Sequence, residues 1–288
     1  KGPVQRAEQR NSADLSQPPA KLHQRARDLG LAMEQWRIAD DRYTVVGDAP
    51  GRIRGSGTYV LRHAPLPPAS PLVVLQAPHP YFEYHIADIA AHALLTAPTR
   101  QHIRGLFISS MHRYQLAPGV RRKADENPSD VCHNPDHLFS AATQALAEAG
   151  PALYVFQLHG FSERRQRDRP ISGVDVIVNA TAGTRSAQLT SIIAAHLQER
   201  FPDFAMRRYP DEIAELGGMT NVQRRLLRRY DHAVFVHLEL SRRFRRHLAG
   251  DPAARDRLAD ALVRSAHGEA PSGPPAPPHD RRPARGQP

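Results

Sequence analysis

The chain of 288 residues has a single cysteine, Cys132. That excludes an intramolecular disulfide, and with no second thiol it also excludes a cysteine-rich zinc site. Lysine is nearly as scarce, found only at Lys1, Lys21 and Lys123, while Lys and Arg together number 39 and the net charge is +10. The positive charge is therefore almost all arginine, in a background rich in Ala and Pro. No apolar run approaches the ~20 residues a membrane-crossing helix needs, so no membrane span is expected. A chain of this length can bury a stable core without disulfides or a structural metal.

The basic balance raises the question of nucleic acid. The arginines cluster late, in "NVQRRLLRRYDH" and "LSRRFRRHLAGDPAARDRLADALVRSAH". There they alternate with leucine at helical spacing, as solvated faces of amphipathic helices do. No nucleic-acid partner is expected on this reading.

Residues 1–20 are polar and end in "SQPPA", and residues 268–288 read "GEAPSGPPAPPHDRRPARGQP". Both lack the apolar content to offset ordering entropy and are expected to be disordered tails. Residues 21–267 then form one domain. The chain begins at Lys1 rather than methionine, which favours a trimmed or processed chain. A periplasmic or secreted protein is the expectation, with the cytoplasm as the alternative.

"AKLHQRARDLGLAMEQWRIA" carries helical spacing through Leu22, Ala26, Leu29, Ala32 and Met33. "YTVVGD" and "TYVLRH" predict a β-hairpin at the sheet edge. Strands and helices then alternate: "LVVLQ", "HIADIAAHALLT", "GLFISS", and a helix in "PDHLFSAATQALAEAG" capped by Asn134 and stopped by Gly150. "ALYVFQLH", "VDVIVNA", the helix "SAQLTSIIAAHLQERF", the short helix "TNVQRRLLRRY" and the strand "HAVFVHLEL" complete the series. Short apolar runs between amphipathic helices predict a three-layer αβα sandwich around a mixed, mostly parallel sheet. In such folds ligands sit beyond the carboxyl ends of the strands.

Those ends carry chemistry. "LVVLQ" leads to His79 and Glu83, "GLFISS" to His112, "ALYVFQ" to His159, and "AVFVHL" to Glu239. An ionised carboxylate is costly to bury unless it is paired, hydrogen-bonded or bound to metal. Two histidines and a carboxylate with an open fourth position make a catalytic zinc site, and a separate glutamate moves the proton. The spacing His79-x-x-x-Glu83 would suit one helical face, but Pro78 and Pro80 argue for a turn there. Arg113, beside His112 in "MHRY", is a candidate oxyanion cation or carboxylate clamp. Asp130 and His133 in "SDVCHNPDH" read as groups supporting the ligands or binding substrate, or as a capping loop. Asn221 and Gln223 in "ELGGMTNVQ" read as a substrate-side loop or as an ordinary helix start.

With "APHPYFE", "FQLHGF" and "VHLELSRRFR", the chain resembles the superfamily of zinc carboxypeptidases and their amidohydrolase relatives, including the N-formylglutamate amidohydrolases. The likeness spans roughly residues 70–248. It implies a phosphorylase/hydrolase-like αβα fold and one Zn2+ on His79, Glu83 and His159. It also implies Glu239 as general base and acid and a small peptide or N-acyl amino acid as substrate, around which Arg113, His112, Asp130, His133 and Asn221 are the candidate binding residues. The His–Glu gap is one residue longer than the family's, and the Asn-Arg dipeptide with which carboxypeptidases hold a terminal carboxylate is absent. An amidohydrolase-like zinc metallohydrolase is therefore the leading expectation. A catalytically degenerate ligand-binding member of the fold is the second, and an arginine-rich nucleic-acid binder the third.

Overall fold

The structure, a computed structural model, describes residues 20–65, 70–117, 120–121, 127–150, 152–162 and 171–271. Apart from residue 20 and residues 268–271, the two expected tails lie outside the described residues. The strands are β1 (Leu31–Ile38), β2 (Asp41–Asp48), β3 (Thr58–His63), β4 (Leu72–Ala77), β5 (Ile103–Ile108), β6 (Gln115–Ala117), β7 (Val120–Arg121), β8 (Leu153–Phe161), β9 (Val176–Thr181), β10 (Met206–Arg208) and β11 (Ala233–Ser241). The helices are α1 (Ala20–Asp28), α2 (Ile86–Leu95), α3 (Leu138–Glu148), α4 (Ser186–Arg200), α5 (Val222–Leu227), α6 (Arg242–Gly250) and α7 (Pro252–Ala266), with a 3-10 turn at Pro98–His102.

Nine strands form one mixed sheet in the order β1-β2-β3-β5-β4-β8-β11-β9-β10. Its centre, β5-β4-β8-β11, is parallel throughout, and antiparallel pairs flank it on both sides. One face buries Val73, Leu75, Phe156, Leu158, Val236 and Leu238 against residues of α2, α4, α6 and α7. The other buries Val74, Leu153, Val155, Ala233 and Phe235 against Phe139 of α3 and Leu227 of α5. Near-continuous apolar runs on the central strands follow from this two-sided cover. The result is the expected αβα sandwich.

Three local expectations need correction. The helix anticipated through Met33 ends at Asp28, because Gly30 adopts φ +72 and turns the chain back. Leu31 to Ile38 then pair residue for residue with Asp48 to Asp41, and sheet pairing overrides the helical spacing. The β2–β3 pair forms as expected, but β1 and not the hairpin makes that sheet edge. Helix α3 is capped by His137, whose Nδ1 accepts from the Phe139 N–H at 3.0 Å. Asn134 tightens the turn before it, accepting from the Asp136 N–H.

Candidate functional site

Side chains two apart on a strand share a face. On the face covered by α3 and α5, β4, β8 and β11 start apolar and turn polar toward their carboxyl ends. Val74 gives way to Gln76, Val155 to Gln157 and His159, and Phe235 to His237 and Glu239. Ladder register lines these up: Gln76 opposite Gln157, Gln157 opposite His237, His237 opposite Asn179, and His159 opposite Glu239. A polar row therefore crosses β4, β8, β11 and β9, with His159 and Glu239 one step nearer the sheet's edge.

The segment after β4 completes the cluster. The N–H groups of Phe82 and Glu83 both donate to the His79 carbonyl, at 3.0 and 2.8 Å. This single turn of helical geometry begins at Pro80, where proline's fixed φ and missing N–H cost nothing. It places Glu83 over His79, with Oε1 3.0 Å from His79 Nδ1. The prolines thus forbid a helix through the strand end without forbidding the one turn the pair requires.

The anions at the site outnumber its fixed cations. His79 Nε2 lies 2.9 Å from Asp130 Oδ1. The other Asp130 oxygen accepts from Arg113 at 2.6 Å and lies 3.1 Å from His133 Nδ1. Glu83 lies 3.4 Å from His159 Nδ1 and accepts from the Gly160 N–H at 3.0 Å. Burial opposes the charged form of each group, and the neighbours overcome it. The Glu83 carboxyl is held far below the usual carboxylate range by the His79 and His159 charges. Asp130 is held equally low by His133, His79 and Arg113. His79 is raised well above an ordinary imidazole by Cys132, Glu83 and Asp130, and His159 is raised to about 10 by Glu83 and Cys132. The Cys132 thiol, pushed up by burial, is brought down to about 7 by the two imidazoles.

Without a metal, protons on the imidazoles neutralise this cluster, which is the environment a dication would find. The donor chemistry fits zinc, which takes imidazole nitrogen, carboxylate oxygen and thiolate sulfur. His79, Cys132 and His159 each offer a ligand atom within 4.8 Å of the others. Tetrahedral zinc keeps its ligand atoms roughly 3.3–3.7 Å apart, given its usual bond lengths. Two donor sets come near that spacing and share the imidazoles. On one side, Glu83 lies 3.0 Å from His79 Nδ1 and 3.4 Å from His159 Nδ1. On the other, Cys132 Sγ lies 3.8 Å from His159 Nε2.

A cleft of about 1070 Å³ opens above, lined by Glu83, His112, Arg113, Gly160 and Glu239 among others. Glu239 is buried but reaches this wall, and His237 Nε2 lies 3.3 Å from its Oε1. Burial and the neighbouring His159 charge lower the His237 imidazole below its ordinary value. Its Nδ1 has no partner among the described residues and sits against Gly218, whose φ is +63. Only glycine fits there: a Cβ would lie 2.6 Å from that nitrogen.

Of the residues singled out in the sequence, His79, Glu83, His159, Glu239, Arg113 and Asp130 are brought together. His112 lies nearby on the cleft wall, its ring edge-on to Phe82. His133 sits behind Asp130 and reaches Thr220 at 3.1 Å. Asn221 is misplaced as a substrate contact: it is 3 % exposed, its Oδ1 caps α5 by accepting the Arg224 N–H, and its Nδ2 donates to Gln157 at 2.5 Å. Cys132, Gln157 and His237 were not anticipated as site residues. The two histidine-bearing strands did signal the last two, as polar residues at alternate positions in "QLH" and "HLE".

No family model matches the chain, and no curated protein matches it. Solved structures do. An N-formylglutamate amidohydrolase from Ralstonia eutropha JMP134 is 12% identical with a TM-score of 0.46, the match covering 70% of this chain and 96% of that one. A bacteriophage poly-gamma-glutamate hydrolase is 12% identical with a TM-score of 0.41, over 69% of this chain and 84% of its own. A metallo-carboxypeptidase from Burkholderia cenocepacia is 10% identical with a TM-score of 0.42, over 73% of this chain and 59% of its own. Similarities this distant leave the function to be argued from the site.

Proposed function

We propose that the chain is a metal-dependent hydrolase of an amide bond in a small peptide or acylated amino acid, with His79, Glu83 and His159 holding one zinc ion. The observation that carries this reading is the convergence of both imidazoles on Glu83, with Glu239 opposite His159 on the next strand. The amide bond as target comes from the sequence resemblance, and the cleft volume suits a substrate of that size. When bound, the ion supplies Lewis acidity and acidifies a water toward neutrality.

The remaining work falls to the chain's own side chains. Glu239 takes the proton of the attacking water and passes it to the leaving amine. His237 orients that carboxylate from 3.3 Å. Arg113, fixed by Asp130, presents a positive charge on the cleft wall where negative charge develops on the carbonyl oxygen. Glu239→Gln tests the assignment: the variant keeps its metal and loses turnover of N-acyl amino acids and dipeptides. A chain that purifies metal-free and hydrolyses none of them overturns it.

A further inference from the structure

We infer that a buried amide relay, Gln76–Gln157–Gln223 with Asn221, sets the tautomer of His159 and so keeps Cys132 off the metal. The inference rests on the hydrolase reading and deepens it by choosing between the two donor sets that share the imidazoles.

Main-chain groups fix the relay's polarity from both ends. The Gln223 amide nitrogen lies 2.8 Å from the Val131 carbonyl, which can only accept, so Gln223 turns its oxygen toward Gln157. Thr143 donates its hydroxyl hydrogen to the Phe139 carbonyl and accepts from Gln76 Nε2, so the Gln76 oxygen also faces Gln157. Two oxygens thus surround one end of the Gln157 amide, which must be its nitrogen. Independently, Asn221 Oδ1 accepts from the Arg224 main-chain N–H, so its nitrogen faces Gln157 and requires an oxygen there. Both routes give the same orientation.

Gln157 Oε1 therefore lies 2.8 Å from His159 Nε2, and that nitrogen must carry a hydrogen. A protonated nitrogen has no lone pair for a metal. His159 is left with Nδ1, which points at Glu83. Asp130 does the same for His79, occupying Nε2 at 2.9 Å and leaving Nδ1 beside Glu83. Cys132 lies on the closed side, 3.5 Å from Gln157 Oε1 and 3.8 Å from the protonated His159 Nε2. One imidazole is backed by a carboxylate and the other by a neutral amide, and both are turned the same way. Gln157 is a positioning residue.

Cobalt(II) reads this directly, because a thiolate ligand adds an intense near-ultraviolet charge-transfer band. The wild-type chain loaded with cobalt is expected to lack that band, and Cys132→Ser to bind cobalt unchanged. Gln157→Leu is expected to weaken cobalt binding about 10–100-fold. A thiolate band in the wild type, or a Gln157→Leu variant with wild-type affinity, overturns the inference. If Gln157→Leu does not fold, the wild-type spectrum and Cys132→Ser still decide. A chain that binds no metal instead defeats the hydrolase reading itself, and the inference with it.

Discussion

His159 and Glu239 stand opposite each other on adjacent parallel strands, β8 and β11, with their side chains on one face of the sheet. Their separation is set by the main-chain hydrogen bonds of the β8–β11 ladder. The proposed metal ligand and the proposed base thus keep their spacing without help from a loop.

His79→Ala or His159→Ala removes one of two imidazoles from the proposed ligand set. Each is expected to reduce metal from about one ion per chain to near none at micromolar zinc, as elemental analysis of the purified protein would show.

Asp130 is the common partner of His79, Arg113 and His133. Asp130→Asn leaves the partly buried Arg113 without its nearer counter-charge, with Glu83 remaining at 3.9 Å, and is expected to cost about 2–3 kcal/mol of stability. Denaturant unfolding of the metal-free chain measures this, and a loss under 1 kcal/mol would show that the cluster tolerates its charges unpaired.

Stability of the metal-free chain should depend on pH in a definite direction. The His159 imidazole is raised to about 10 in the folded state, against roughly 6.5 when unfolded. Its contribution is therefore complete below about pH 6.5 and disappears as pH climbs to about 10. Glu83 and Asp130, depressed in the folded state, add a second loss on the acid side, below the unfolded carboxylate range. Melting temperatures of chelator-treated protein should fall from pH 6.5 to 10, and His159→Gln should flatten that limb.

Gly218→Ala places a methyl group 2.6 Å from His237 Nδ1 at a backbone φ of +63. The backbone strain alone is expected to cost about 1–2 kcal/mol. The displaced ring should misorient Glu239 and lower kcat roughly 10–100-fold with metal content unchanged. Turnover equal to wild type would remove His237 from any orienting role.

Much of this architecture was legible because the signals are local. Runs such as "LVVLQ" and "AVFVHL" must be buried on both faces, and their ends must then lie together beyond a common sheet edge. Asp130 and Arg113 could be named but not paired, since their 2.6 Å contact joins positions 17 apart that share no local pattern. Cys132 was passed over because its significance is spatial: a lone thiol acquires meaning only when folding sets it beside two imidazoles. Asn221 was misassigned because helix-capping and ligand-binding asparagines look alike until the partner of each amide atom is known. Leu29 to Met33 failed for another reason, since the same apolar spacing satisfies a helix or a paired strand.

The polar row from Gln76 through Gln157 and His237 to Asn179 also bears on how the chain reaches its native state. A slip of one residue between any two of these strands would turn amides and imidazoles into the aliphatic layer and send leucine and valine toward the cleft. Misaligned sheets would thus be rejected during assembly by the very side chains that later line the cleft.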